Sequence, residues 1–548
     1  MLNLKSAYFY FLAIYINLIK KLKKTYFTTK YYNRSLASKT PRQLYFYPNP
    51  FLLSSFTHYK NFSFKVSNLN EKMFWEQKKS KAEEENLHNF LWLNLIDRKT
   101  ESKEIKRIIS IWIYKYSNYK KIVWDNSIMS KRIISWILNA EIILNNSDTL
   151  FKYNFYQTII KQINHLKKNI RFENDYSKKI EIISSILLSG LVFKEYSDNY
   201  KQSIKELEKL VKFFFDKDGF PVNRNLNDLI KFSKFLVLIK ECIKDSQEYI
   251  PDFLDDIIEK NLTCIKSVIT PNSQIPLFNG ATEQSFGKYL KYVAQLGYGF
   301  SKSKLKTGDI QIIKNKKHII YFDVGSTPKK NFSKCYQSGP LSFEYFFNEQ
   351  KIITNCGFGE KISRKAMLLS RLTSAQSTIA INDTSVVKFE RNKLINSAFG
   401  NSIKNDFSLF DYKYSDSDSE LKSSAKHNAY EKDFGLIVKR ELIMNKSEGT
   451  VFGCDELIQK KQNKKIKFNI YFHLYPGLSA IKTIGGNSVL IQLKKNRSLI
   501  FVSEGGTIDV EKSIFLGGNK ILNNLCINIS GNIINDYKKI NWVLKKNI

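Results

Sequence analysis

Cysteine is scarce in this sequence: six in 548 residues, at 242, 264, 335, 356, 454 and 526, with no C-x-x-C spacing. That pattern excludes a disulfide framework and a cysteine-based zinc module, so the six read as small core hydrophobes. No bilayer-spanning run stands out either. The apolar-aromatic stretch from Ala7 to Ile19 is about 13 residues, short of the ~20 that a helix needs to cross. It is preceded only by Lys5 and followed by no small-x-small cleavage site, which makes it a poor secretory signal. With Lys20, Lys21, Lys23 and Lys24 behind it, it reads either as an interfacial helix with a basic flank or as a helix packed on the body of the protein. Residues 7–24 are therefore the candidate peripheral membrane contact.

Acidic residues are outnumbered by basic ones, 51 to 87, for a net charge of +36. A nucleic-acid reader would cluster this charge in an arginine-bearing stripe. Here the chain has only 12 Arg against 75 Lys, and the lysines run from end to end among many Asn, Ile, Tyr and Phe. We read no nucleic-acid partner from this. An acidic polysaccharide or an anionic membrane face is the matching kind of partner.

What the sequence does have is hydrophobic order. At this length two or more domains are expected. From about 85 to 270 the period is helical: Ile105, Ile108, Ile109, Trp112 and Ile113 form one stripe, and Ile204, Leu207, Leu210, Val211 and Phe214 another. Further helices are predicted near 130–144, 151–170, 178–193, 226–244 and 251–269. Breakers at Asn145 to Asp148, Asp218 to Pro221 and Thr270 to Asn272 separate several of them. Seven or so helices on short loops suggest antiparallel hairpins, in a bundle, a solenoid or a toroid.

Beyond about residue 305 the pattern turns to strands. Ile310 to Asp323 reads as a hairpin with its turn at Lys314 to Lys316, and Asn348 to Gln350 turns another. Strand-like runs continue through Phe468 to His473 and Ser498 to Ser503, without an intervening helical period. That predicts an antiparallel sandwich. Residues 403–428, rich in Ser, Asp and Lys, read as a long exposed excursion.

Several segments then occur in a familiar order. Asp323-Val324-Gly325 precedes Gly339-Pro340-Leu341-Ser342-Phe343-Glu344. Next come Ile352 to Gly357 and Arg371-Leu372-Thr373-Ser374-Ala375-Gln376-Ser377-Thr378, then Asn382 to Ser385, His427-Asn428-Ala429-Tyr430 and Phe472-His473-Leu474-Tyr475-Pro476. Together they resemble the heparinase II/III-like C-terminal domain. In the helical half, Ser130 to Ala140 with Arg132, Trp136 and Asn139, Asp218-Gly219 with Asn223-Arg224-Asn225, and Leu277 to Gly280 are similar to segments of the same relatives.

The resemblance implies an α+β multidomain chain: residues 1–84 as a lead-in, an incomplete (α/α) toroid over 85–300, and an antiparallel β-sandwich over 301–548, with a glycan cleft at their junction. It also implies a polysaccharide lyase acting on uronic-acid-containing chains, here an anionic glycan of the cell envelope. The cytoplasm stays open as a location, because no cleavable signal is evident.

Elimination across C4–C5 of a uronate needs a group to neutralise the carboxylate, a base for the C5 proton and an acid for the leaving oxygen. The family motifs offer Arg224, Asn225 and Asn279 as substrate-side donors. Asn225 also suits a helix N-cap, and Asn279 beside Gly280 a turn. His427, Tyr430 and Tyr336 are the candidate proton carriers, and Gln337, Gln376, Arg371, His473 and Tyr475 the further substrate contacts. His58, His88, His165 and His318 read as structural or surface groups.

Two departures stand out. Gln337 and Gln376 occupy positions where relatives place histidine, and an amide cannot shuttle a proton. Cys335 and Gln337 also replace histidines of a metal-binding motif, so neither zinc nor calcium, known in relatives, is expected, and no cofactor is. The alternative to a lyase is a glycan-binding or envelope-assembly protein of the same fold that has lost its chemistry.

Overall fold

A computed structural model describes residues 4–56, 75, 80–96, 102–460, 465–494, 497–534 and 536–547. His58 lies outside the described residues. The chain divides into two compact units, one of Met1–Phe214, Ile230–Glu259 and Lys288–Tyr298, the other of Phe215–Leu229, Lys260–Gly287 and Gly299–Ile548. The change from helix to strand near residue 300 is thus a unit boundary. Two earlier loop-bearing segments, 215–229 and 260–287, also cluster with the strands, and they carry Arg224, Asn225 and Asn279.

The first unit is helical. It opens with α1 (Leu4–Phe27), and its longer helices include Ser102–Tyr116, Asn126–Leu138, Thr149–Asn169, Tyr176–Val192 and Ser197–Phe214. Aspartates start three of them: the side chains of Asp125, Asp148 and Asp175 accept from the backbone N–H of Ser127, Phe151 and Ser177. The predicted stripes face inward, with Ile105, Ile108, Ile109 and Trp112 buried on one helix and Leu207, Leu210, Val211 and Phe214 on another. Trp112 meets Trp136 edge to face at 5.2 Å. Arg132 is buried beside them, donating to Gln162 Oε1, His88 O and Val123 O. Asn139, also buried, donates to Ser135 O.

Among the described residues the second unit holds three antiparallel sheets. The first runs in the order β1 (Lys306–Thr307), β2 (Ile310–Lys314), β3 (His318–Asp323), β4 (Phe343–Phe347) and β5 (Gln350–Ile353). The four-stranded sheet comprises β6 (Ile379–Ile381), β11 (Ile466–His473), β15 (Thr507–Phe515) and β16 (Leu522–Ile533), in the order β15-β16-β11-β6. The eight-stranded sheet adds β7 (Leu409–Asp416), β8 (Glu420–Tyr430), β9 (Leu436–Asn445), β10 (Val451–Gln459), β12 (Ser479–Lys482), β13 (Ser488–Gln492), β14 (Ser498–Glu504) and β17 (Tyr537–Lys546). Its order is β12-β13-β14-β17-β10-β9-β8-β7.

All three sheets feed one core. Phe343 stacks on Trp542 at 5.5 Å, Phe472 meets Trp542 at 5.0 Å, and Phe501 meets Phe472 at 4.8 Å. The β4–β5 turn places Asn348 and Glu349 at φ 44° and 66°, the left-handed pair that a two-residue hairpin needs.

One expectation is corrected here. Much of the segment predicted as an exposed excursion, 403–428, is the β7–β8 hairpin at the edge of the large sheet. Leu421, Ser423, Ala425 and His427 alternate inward along β8 and are buried. Three of those four are small or polar, so the period-2 signal is too weak to register against the Ser and Lys between them.

Candidate functional site

The motif residues of the second unit fall into an interior lattice and a smaller set near Gly280. Arg224 stands at φ 60° in the loop before helix Leu226–Asp245, and its guanidinium meets Asp323 at the end of β3. It also donates to Gly308 O at 3.3 Å and, at 3.4 Å each, to Ser326 O and Asp309 O. Burial disfavours the charge on Arg224, but Asp323 outweighs it and raises the pKa. Gly325 is needed here, because a Cβ there would stand 2.2 Å from Arg224 Cζ. The guanidinium therefore braces the loop against β3. It does not point into open space.

That brace presents Asn225. Its Oδ1 accepts from Asn227 N at 2.9 Å, which caps the following helix, and its Nδ2 stands beside Gly280 and Cys335. Asn279 occupies a left-handed position, φ 50°, and is buried, with Nδ2 lacking any hydrogen-bond partner. Gly280 N donates to Gln337 Oε1 at 3.0 Å. The side-chain amides of Asn225 and Gln337 thus meet at Gly280, the residue after Asn279.

Gln337 and Gln376 do something histidine cannot. Gln337 Nε2 donates to Gly357 O at 3.1 Å and Ser370 O at 2.7 Å, and Gln376 Nε2 donates to the same Ser370 O at 2.8 Å. Gln337 alone joins three backbone segments, because a primary amide carries two donors and an acceptor. Neutral histidine has one of each. Gln337→His is therefore expected to lose the bond to Gly357 O or the one to Ser370 O, at a cost of about 0.5–1.5 kcal/mol in denaturant unfolding. The Gln337 amide is spent on backbone. Among the described residues no three His, Cys, Asp or Glu side chains are grouped to hold a metal ion.

The other named residues are mostly interior. Arg371, fully buried, donates to Tyr336 O at 2.8 Å, Ser333 O at 2.9 Å and Asn401 O at 2.7 Å, and burial lowers its pKa to about 10. Tyr336 and Tyr430 are buried phenols whose pKa values burial pushes up, and Tyr430 Oη sits against Ile381 N and Thr384 O. His427 is buried between Phe407 and Tyr430. Its Nδ1 accepts from Ala429 N at 3.3 Å, its Nε2 has no partner, and burial together with Arg440 lowers its pKa to about 3. His473 lies between Ser513 Oγ, 3.0 Å from Nδ1, and Ser374 O, 2.9 Å from Nε2. Burial lowers its pKa to about 4. None of these five reaches open solvent. His88, His165 and His318 are buried as well.

Tyr475 differs. It is half-buried, at the end of the segment that follows β11, and its hydroxyl donates to Glu283 Oε1 at 2.5 Å. Burial, then that bond, raises its pKa, so the phenol stays protonated. Glu283 carries no motif, and only its place four residues after Asn279 could have flagged it. Beneath lies the buried pair of Lys351 and Glu344 at 2.8 Å, with Thr354 Oγ1 and Asn355 N also donating to Glu344.

Comparison with known proteins follows the same lines. The family model "Heparinase II/III-like, C-terminal" matches residues 300–543. A structure titled Heparinase III is 12% identical, with TM-score 0.66, over 86% of this chain and 79% of its own. Two structures of heparan sulfate lyase HepC from Pedobacter heparinus are similar too. One, a mutant, is 14% identical with TM-score 0.64 over 90% of this chain and 81% of its own. The other is 15% identical with TM-score 0.62 over 95% and 83%. No curated protein matches the sequence. Residues 300–543 thus match the heparinase II/III-like C-terminal family, and the chain carries the heparinase III fold, a helical toroid followed by a β-sandwich.

Proposed function

We propose that this chain is a polysaccharide lyase that cleaves an anionic, uronic-acid-containing glycan of the cell envelope by β-elimination. The observation that carries this reading is the Asn279 amide, a buried donor without a partner, next in sequence to the Gly280 that the Asn225 amide stands against. An unmet buried donor costs about 1–3 kcal/mol, and a uronate carboxylate is a group that would satisfy it. Hydrogen bonds to that carboxylate lower the barrier to losing the C5 proton.

Proton transfer we assign to Glu283 and Tyr475, because His427, Tyr430 and Tyr336 are interior. The Glu283 carboxylate takes the C5 proton, the C4–O bond breaks as C4=C5 forms, and the Tyr475 hydroxyl protonates the leaving oxygen. The proton on Glu283 then passes to Tyr475 across their hydrogen bond and resets the pair. The heparinase III fold and the lyase titles of its structural neighbours support the reaction class.

The test is ultraviolet absorbance from a 4,5-unsaturated product, screened over uronate polymers. Tyr475→Phe is expected to lower kcat by about 10²–10⁴-fold, the usual worth of a general acid. Asn279→Ala is expected to lower kcat/KM by about 10–100-fold, as for loss of one charge-directed hydrogen bond. A lyase whose turnover survives Tyr475→Phe would overturn the assignment. One observation favours a second reading, a glycan-binding protein without chemistry: Gln337 and Gln376 stand where relatives carry histidine, and both amides are spent on backbone. Tight glycan binding with no absorbance from any uronate polymer would establish it.

A further inference from the structure

We infer that α1 lies flat on an anionic lipid surface and holds the protein there. This goes beyond the glycan chemistry and does not depend on it. Along α1, Tyr8, Phe11, Tyr15, Leu18 and Leu22 recur at alternating spacings of three and four, with Ile14 beside them, so they share one face. Each of these six is between 41% and 70% exposed. Ala13 and Ile16 lie on the other side, buried and half-buried, so the helix rests on its own unit by that side and leaves the aromatic stripe uncovered. A continuous apolar stripe of this length left in water marks a contact surface, because its burial is a large favourable contribution.

The charges on the helix select the occupant. Every charged residue of α1 is a lysine: Lys5, Lys20, Lys21, Lys23 and Lys24, with no Asp or Glu. Pairing of two copies along this stripe would bring lysine clusters of a chain with net charge +36 together without compensating acids. An anionic leaflet receives the same cluster favourably, and Tyr and Phe are side chains suited to the headgroup level. Lys20, Lys21 and Lys24 are exposed. Among the described residues no helix is long and apolar enough to cross a membrane, so the contact is with the surface of the bilayer.

The experiment is flotation of the full chain with phosphatidylcholine vesicles, with and without phosphatidylglycerol. Wild type is expected to float with the anionic vesicles and to be released in part by salt. The triple variant Phe11→Ser/Tyr15→Ser/Leu18→Ser is expected to lose at least about tenfold in partitioning. Lys20→Ser/Lys21→Ser/Lys24→Ser is expected to lose a comparable factor on anionic vesicles alone. These side chains are exposed, so circular dichroism and Tm should match wild type and exclude misfolding. The proposal is overturned if the apolar variant floats as well as wild type, since general basic charge then suffices. It is equally overturned if wild type fails to float, or if wild type is a lipid-free dimer that the apolar variant converts to monomer.

Discussion

Asp455→Ala should unfold the sandwich unit at markedly lower denaturant, with a loss of about 3–5 kcal/mol. Arg440 on β9 and Asp455 on β10 are register partners, both fully buried. Their contact is two-pronged, Nε to Oδ1 at 2.6 Å and Nη2 to Oδ2 at 3.0 Å, and Trp542 Nε1 donates to Asp455 Oδ2 at 3.1 Å. The free prong of Arg440 donates to Leu341 O at 2.9 Å and Ser377 O at 3.0 Å. Two family-like segments, Gly339 to Glu344 and Arg371 to Thr378, are thereby tied to the large sheet. Removing Asp455 leaves a guanidinium in the core without its counter-charge, and that situation typically costs the amount stated. The double variant Arg440→Met/Asp455→Leu removes both charges and should recover much of the loss in stability. If Asp455→Ala proves as stable as wild type in urea, the ion pair does not organise this core.

Acid should destabilise the protein well above the carboxylate range. Burial lowers the pKa of His165 and His427 to about 3 and of His318 and His473 to about 4. Unfolded histidine titrates near 6.5. The folded state thus keeps these rings neutral while the unfolded chain takes up protons, so their contribution is complete above pH 6.5 and is lost as pH falls towards 4. Each such group contributes a slope of about 1.4 kcal/mol per pH unit, and the three in the sandwich unit sum to roughly 4. Asp216 and Asp323, raised by burial, work in the opposite direction, so the net slope is smaller than that sum. His427→Leu should flatten the profile by about one proton, because its Nε2 has no bond to lose. A Tm that stays constant from pH 7 to pH 5 would refute this account.

Some of this could be read directly from the residues. The stripes Ile105 to Trp112 and Leu207 to Phe214 fall within the helices Ser102–Tyr116 and Ser197–Phe214, and Lys314 to Lys316 marks a true hairpin turn. Period and turn chemistry are local properties, so a linear sequence carries them. The β7–β8 hairpin was lost because Ser423 and Ala425 face inward without being strongly apolar.

The roles of the polar motif residues were a different matter. Gln337, Gln376, Arg371 and His473 carry the resemblance, which implies substrate contacts, yet each donates to backbone carbonyls inside the sandwich. Nothing in a motif states whether its donors face a ligand or the chain itself. That depends on which carbonyls long-range packing brings within 3 Å, as Ser370 O is brought to both glutamines. The sequence by itself determined which long stretches are helical and which are strand-forming, and that the two kinds are segregated along the chain, since hydrophobic period and breakers act over a few residues. Only the tertiary structure decided which polar groups are satisfied internally and which, like the Asn279 amide, are buried without a partner, because burial is set by residues hundreds of positions apart.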